Sequence, residues 1–221
     1  YAVAFISRKW THIDSALLLV IGAGTGVILG IIVGSFVVRY RAIFFGMLNL
    51  ALSMVLFAAL GKFFNVTGGT DGLRLERAPF FGMTLERDAF ESVLLVVGVA
   101  LALLSGWLVQ RYLRSVAGQA LAAIKTNETR LEYVGISAYQ TLWIGYIISA
   151  TLCGLSGAIF AIAQGLVTPE MGYWVRSGEI VFVAILGGVG HPVGAFIGAG
   201  IFEFVKLFAA AYLTGAWQMV L

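Results

Sequence analysis

An all-α polytopic membrane protein is the fold class this sequence predicts: a transmembrane helix bundle interrupted by one polar helix. Three observations predict it. Hydrophobic residues make up 60% of the 221 and charged residues only 11%, far from the balance of a water-soluble domain. Several uncharged runs reach the roughly 20 apolar residues that a span requires. Between two of them lies a hydrophilic stretch, Ser115 to Ile136, too polar for lipid and too regular for a linker. Three prolines and no Ser/Pro-rich tract argue against a second, soluble domain. The chain therefore reads as one membrane domain over 1–221.

The spans follow in order. Ala16–Val38 and Ala42–Gly61 are long and uncharged, and Ser92–Gln110 is a third. Ser137–Val167 is a long uncharged run that fits a tilted span plus an interfacial extension. Ile180–Phe202 is broken by Gly187-Gly-Val-Gly-His-Pro-Val-Gly194 and reads as a short crossing, a tight turn and a helix from about Val193 to Tyr212. A further span is expected to begin near Trp217.

Positive charge orients these spans. Arg39 and Arg41 form a tight basic turn, and Arg111, Arg114, Lys125 and Arg130 fall in the 111–136 segment. In the 62–91 loop, Lys62, Arg74, Arg77 and Arg87 are balanced by Asp71, Glu76, Glu86, Asp88 and Glu91. The positive-inside bias puts 39–41 and 111–136 in the cytoplasm and 62–91 and 166–177 outside. Arg8 and Lys9 then lie outside as well, against the bias.

The polar stretch is expected to form one amphipathic helix. Leu121, Ile124, Leu131 and Val134 fall near one stripe, with Lys125, Glu128, Arg130 and Glu132 around it. A helix of that kind, tied to spans at both ends, suits docking of a cytoplasmic motor. Gly118 and Gly135 bracket it. Glycine is also periodic within the spans: Gly22, Gly26, Gly30 and Gly34 recur every fourth residue, as do Gly190, Gly194 and Gly198. Such stripes let helices approach closely, for packing or for sliding.

The remaining candidates are few. Asn65-Val-Thr-Gly-Gly-Thr-Asp-Gly72 is either a structured turn or an outer element beside a substrate path. It lacks a following GK[ST], and no phosphate loop occurs in the chain, so ATP hydrolysis would belong to a partner. Glu203 and Lys206, three apart at membrane depth, form either an ion pair or a functional site. Arg176 and Glu179 read as an interfacial pair or an outer mouth, and His191 beside Pro192 as a turn residue or a pH sensor. Cys153 is the one cysteine, and the two histidines make no metal site by themselves. No nucleophile stands with a recognisable His/Asp partner, and no basic patch is interleaved with aromatics, so neither catalysis nor nucleic acid is indicated.

Several ordered blocks carry a resemblance. They are Arg39-Tyr-Arg-Ala-Ile-Phe-Phe-Gly-Met-Leu-Asn-Leu-Ala51, Thr67-Gly-Gly-Thr-Asp-Gly72, and Gly118-Gln-Ala-Leu-Ala-Ala-Ile-Lys-Thr-Asn-Glu-Thr-Arg130 through Gly135-Ile136. Ile148-Ser-Ala150 with Gly154 and Gly157, then Thr168-Pro-Glu170, Ser177-Gly-Glu179 and Leu186-Gly-Gly-Val-Gly190 complete them. Together they resemble the LivM-type permease subunits of ABC importers for branched-chain amino acids, a group that also serves urea and short amides.

The resemblance implies divided labour across a bacterial inner membrane. A periplasmic substrate-binding protein docks outside, a second permease subunit shares the path, and two cytoplasmic ATP-binding subunits use ATP and Mg. The chain itself then needs no cofactor, no metal and no catalytic residue. The ATPase-coupling residues become Gly118, Ala123, Ile124, Asn127, Glu128, Arg130 and Gly135. The translocation-path or outer-loop candidates become Asn49, Thr67, Gly68, Gly69, Thr70, Asp71, Gly72 and Glu179. Tyr1 resembles the end of a Gly-Ala-Tyr element, so native spans are expected before it and after Leu221. Asn49 replaces a usual Thr, Ala195 an often-seen Pro, and Leu131 a usual Ala. The first change falls on the candidate path and bears on the substrate class. A self-sufficient channel or secondary transporter is the rival, and it would need intramembrane ionisable residues or an inverted repeat.

Overall fold

The computed structural model describes residues 1–10, 13–63, 67–75, 79–80 and 86–212. His12, Asn65 and the segment from Trp217 lie outside the described residues. The helices are α1 (Ala2–Lys9), α2 (Ser15–Val37), α3 (Ile43–Lys62), α4 (Arg87–Leu113), α5 (Val116–Tyr133), α6 (Ala138–Gln164), α7 (Trp174–Gly187) and α8 (Pro192–Tyr212). Two short strands, β1 (Leu73–Arg74) and β2 (Leu166–Val167), pair antiparallel with Leu73 opposite Val167. Among the described residues, five helices are long and apolar enough to cross a membrane: α2, α3, α4, α6 and α8. These are the spans expected from the sequence, with ends within a few residues.

The closest packing joins α2 to α6, and its cause is the glycine stripe. Gly22, Gly26, Gly30 and Gly34 are all buried. A Cβ on Gly26 would collide with the carbonyl oxygen of Ala150 and sit 3.0 Å from Thr151 Cα. One on Gly30 would lie 3.0 Å from both Ala150 Cβ and Ile147 Cα. Gly154 of α6 answers in kind, since its own Cβ would stand 2.9 Å from Gly26 Cα. The hydroxyls near the seam stay within their own helices: Thr25 Oγ1 donates to Gly22 O at 2.8 Å and Thr151 Oγ1 to Ile147 O at 2.7 Å. That satisfies them where no water competes. Across the seam, Tyr139 OH donates to Ser35 O at 2.9 Å.

The ends of the bundle differ in kind. At the end that the charge bias assigns to the outside, here called the outer end, α1, β1, β2 and the tops of α2, α4 and α6 enclose an apolar cluster that includes Val3, Leu18, Leu73, Phe80, Phe90, Ile162 and Val167. The pairing of β1 with β2 ties the 62–91 and 166–177 segments together, the two that charge placed on one side. Because α1 joins this cluster, Arg8 and Lys9 lie at the same end as the 62–91 and 166–177 segments. At the inner end, the 38–42 elbow between α2 and α3 meets α5.

α7 is the exception among the helices. Its 14 residues rise only about 21 Å, short of a core about 30 Å thick. Tyr173, just before it, packs on Phe57 with ring centroids 5.2 Å apart. Phe57 lies five residues inside the end of α3, roughly 7.5 Å below it. The chain thus dips into the membrane region through the tight turn Pro169–Gly172 before α7 begins. At the other end, His191 Nε2 lies 3.3 Å from Gln110 Nε2 of α4, so the Gly-rich turn reaches the inner end. The turn and the final helix read from the sequence are present, whereas the expected short crossing is α7, too short to span by itself.

Candidate functional site

The inner elbow and the polar helix form the site. Ser115 starts α5: its Oγ accepts from Gly118 N at 3.4 Å and donates to Tyr112 O at 2.6 Å. Gly118 lies inside the first turn, pressed against the backbone of Tyr112 and Leu113, so it does not bracket the helix as expected. Gly135 does end it, at φ +85°, a conformation that glycine adopts without strain.

α5 is not the single straight helix that the apolar stripe predicts. Asn127 sits at φ −162° and ψ 101°, extended backbone in mid-helix. Its Oδ1 accepts from Arg130 N at 3.1 Å, which makes it the N-cap of a second short helix. The stripe is broken accordingly. Leu131 is buried, whereas Val134 is 77% exposed. In the first half, Leu121 packs on Gly145 of α6, where a Cβ would stand 3.2 Å from Leu121 Cδ1.

Glu128 opens the second half and turns back to the elbow. Arg41 Nη2 donates to its Oε1 at 2.7 Å, and Arg41 Nε reaches both carboxylate oxygens at 3.0 and 3.1 Å. Arg41 Nη1 also donates to Val38 O. This two-pronged geometry favours the ionised forms of both partners. The Glu128 bond pushes Arg41 above the usual guanidinium value, and the Arg41 bond holds Glu128 below the usual carboxylate range. Because the carboxyl is lowered on folding, the bridge contributes fully above its unfolded value of about 4.3 and is lost as pH falls through the lower folded value. The melting temperature is therefore expected to fall more steeply below pH 4.3 in the native chain than in Glu128→Gln. Parallel curves would show that the pair contributes nothing.

Arg130 has a different setting. Its side chain is exposed and makes no hydrogen bond or ion pair among the described residues. Ala123 is exposed as well.

Under the elbow lies a cavity of about 610 Å³ lined by Arg41, Phe45, Asn49, Leu121, Ile124 and Tyr146, among others. Asn49 Oδ1 accepts from Tyr146 OH at 2.9 Å, and its Nδ2 donates to Phe45 O at 3.0 Å. The structure thus brings Asn49 and Ile124 to one hollow, 75 positions apart in sequence. A second hollow of about 750 Å³ opens between α4 and α6 at the outer end.

The outer-loop candidates form a separate group far from the elbow. Thr67 is buried, and its Oγ1 donates toward Leu60 O (2.6 Å) and Phe63 O (2.9 Å) and accepts from Gly69 N (3.3 Å). It terminates α3 and starts the turn that Gly69, Thr70 and Asp71 complete. Gly72 has φ +71° and lies against the carbonyl oxygen of Val167, a position no side chain fits. Replacing Thr67 by Val is expected to cost about 1–3 kcal/mol, because the Gly69 N–H loses its acceptor. An unchanged melting temperature would contradict that. Glu179 pairs with Arg176 at 3.0 Å on the surface of α7, so Glu179→Gln should shift the melting temperature by no more than about 2 °C. A larger shift, read by the same thermal melt, would mean the pair is not a screened surface bridge. Glu203 and Lys206 make no ion pair among the described residues, and Glu203 is exposed on α8. His191 caps α8: its Nδ1 accepts from Val193 N at 3.2 Å.

Sequence reasoning missed Arg41 as a partner of Glu128 and Tyr146 as a partner of Asn49. It also missed the break at Asn127, although Asn is a preferred N-cap and the residue type was the available signal.

Among the described residues, five helices long and apolar enough to cross a membrane, a glycine seam between two of them and a polar helix clasped to one end define a polytopic helical membrane protein. The chain belongs to the family described as the permease component of the branched-chain amino acid transport system, whose profile matches residues 1–221. It is 25% identical over 211 residues to the high-affinity branched-chain amino acid transport system permease protein LivM of Escherichia coli K12, covering 86% of this chain and 48% of that one. It is 25% identical over 208 residues to the probable branched-chain amino acid transport permease protein LivH of Methanocaldococcus jannaschii, covering 93% and 65%. The autoinducer 2 import system permease protein LsrC of Klebsiella pneumoniae is 26% identical over 155 residues, covering 67% and 44%. The chain spans about half the length of the LivM relatives it matches. No solved structure matches it.

Proposed function

We propose that this chain is the membrane-spanning permease subunit of an ATP-driven importer, moving branched-chain or related amino acids across a bacterial inner membrane. The observation that supports it most directly is α5. It is a polar helix outside the spans, capped by Ser115, seated on α6 through Leu121 and clasped to the elbow through Glu128. A force applied to it reaches two different parts of the bundle. Two cytoplasmic ATP-binding subunits dock there, around Gly118, Ala123, Ile124, Asn127, Glu128, Arg130 and Gly135. They supply ATP and Mg chemistry, and this chain takes no cofactor and catalyses no reaction. A second permease subunit completes the path, and a periplasmic substrate-binding protein docks at the outer end near Thr67–Gly72.

The names of the relatives support the amino-acid cargo. The import of autoinducer 2 by a relative, with the polar Asn49 beside the inner cavity, favours a second reading in which the same architecture carries a small polar solute, such as urea, a short amide or an aromatic acid. Glu203 favours a third. It lies eleven residues into α8, roughly 16 Å from the inner end, and an exposed carboxylate at that depth suits a channel or secondary transporter.

The test is purification of the tagged full-length protein in mild detergent, with mass spectrometry of what remains bound. A second permease with ATP-binding subunits is the expected result. A homo-oligomer without ATPase, reproducible across detergents, would overturn the importer reading and make Glu203 and Lys206 the next residues to change.

A further inference from the structure

α3 is the least buried long helix of the bundle: none of its residues is buried, whereas α2 and α6 are locked along their seam. Its first residue, Ile43, is preceded by Ala42 at φ 51°, ψ −124°, a conformation sparsely populated by side-chain-bearing residues. The residue before that is Arg41. The one positive-φ residue other than glycine among the described residues therefore lies between the Glu128 clasp and the start of α3.

The other side of the clasp has a matching feature. α5 is interrupted at Asn127, one residue before Glu128. The first half of α5 is seated on α6, and the second half is seated on the elbow. A displacement of α5 that bends at Asn127 therefore moves Glu128 relative to α6. Because Glu128 grips the guanidinium with both oxygens, and Arg41 is fixed again to Val38 O, that displacement is delivered to the start of α3. The helix it would move carries Phe45 and Asn49, which wall the inner cavity and touch Tyr146 of α6.

We propose that Arg41 and Glu128 are positioning residues for coupling: a joint that carries motion of α5 to α3 and so opens and closes the cavity between α3 and α6. The proposal deepens the importer reading and rests on it for the source of the motion. Both are assigned to position α3 relative to α5, and Arg41 also borders the cavity. The pair acts as a strut, with Asn127 as the bend. A purely structural bridge would stabilise the fold without affecting how ATP use is converted into movement.

The test uses the full-length subunit, assembled with its partners and reconstituted in proteoliposomes. Radiolabelled leucine is the transport probe, and ATP hydrolysis is read in parallel. Arg41→Glu, outside the docking segment, should leave ATP hydrolysis within twofold and lower leucine taken up per ATP at least tenfold; Glu128→Arg should lower leucine taken up per ATP by the same factor, whatever its rate of hydrolysis. The double exchange, R41E with E128R, should recover uptake per ATP to within threefold. If the reversed charges prevent assembly, Arg41→Gln and Glu128→Gln serve instead, with the same fall in uptake per ATP expected.

A second readout does not depend on the cargo. Nitroxide labels at Phe44→Cys on α3 and Ile144→Cys on α6, in a Cys153→Ser background, should report a distance change on adding ATP. Glu128→Gln should abolish that change. Native proteoliposomes that hydrolyse ATP without taking up leucine would sink the leucine assignment while the distance change still judges the joint. Singly reversed variants that transport normally, an exchange that assembles without recovery, or an α3–α6 distance that ATP does not alter would each overturn the joint.

Discussion

Replacing Gly26 and Gly30 together by leucine will abolish the α2–α6 seam, and the protein will not purify as a monodisperse species. The argument is steric. At both positions the obstructing atoms are backbone or Cβ atoms of α6: the Ala150 carbonyl and Thr151 Cα at Gly26, and Ala150 Cβ and Ile147 Cα at Gly30. No rotamer change relieves such contacts, so the helices must move apart. Overpacking that is relieved by small shifts already costs about 1–3 kcal/mol per site. Two such sites, on the seam that organises the bundle, consume much of a stability of roughly 5–15 kcal/mol. The seam also holds the hydrogen bond from Tyr139 to Ser35, which separation would break. Gly24→Leu is the control. A Cβ there meets nothing within 4 Å, so it faces away from the seam, and its variant should melt like the native protein. A double variant with an unaltered melting temperature and intact assembly would show that the seam does not organise the fold.

The spans were legible in the sequence because lipid is an unforgiving solvent. Every backbone group must be satisfied within the helix, so an uncharged run of 20 residues has few alternatives. The sides were legible as groups. The segments that charge placed together do meet, through Arg41 and Glu128 at one end and β1 with β2 at the other. The glycine stripe in α2 was legible as a packing face, but not its partner, since small residues say how closely a neighbour may come and not which neighbour. The stripe of 190, 194 and 198 was legible only in part, because Gly190 falls in the turn rather than on the helix.

The site was less legible, for a different reason. Periodicity runs on across Asn127, so the apolar pattern gives no notice of a break made by a side-chain cap. The partner of Glu128 lies 87 positions away, beyond any local rule. Arg41 was read for its effect on topology, which any cation in that turn would provide. Its fork geometry, which a lysine would not reproduce, became meaningful only with the carboxylate in place.

The hairpin of α7 and α8 gives the second large effect. A Cβ on Gly194 would collide with the carbonyl oxygens of Gly187 and Gly188 and lie 3.1 Å from Gly187 C, and one on Gly198 would lie 2.8 Å from Gly187 N. Here the two helices are in backbone contact just beyond their turn. α7 is too short to cross by itself and begins below the end of α3, so its placement depends on α8 more than a full span's would. Gly194→Leu is therefore expected to splay the hairpin and lower the melting temperature by roughly 5–10 °C, from an overpacking cost of about 1–3 kcal/mol or somewhat more. It should also separate His191 from Gln110, now 3.3 Å apart, which a crosslink between cysteines placed at those two positions, in a Cys153→Ser background, would report as lost. Gly190→Ala is the matched control, because its Cβ meets nothing within 4 Å, and it should change neither quantity. Equal effects at 190 and 194 would mean that the turn's flexibility, and not the contact between α7 and α8, is what the glycines provide.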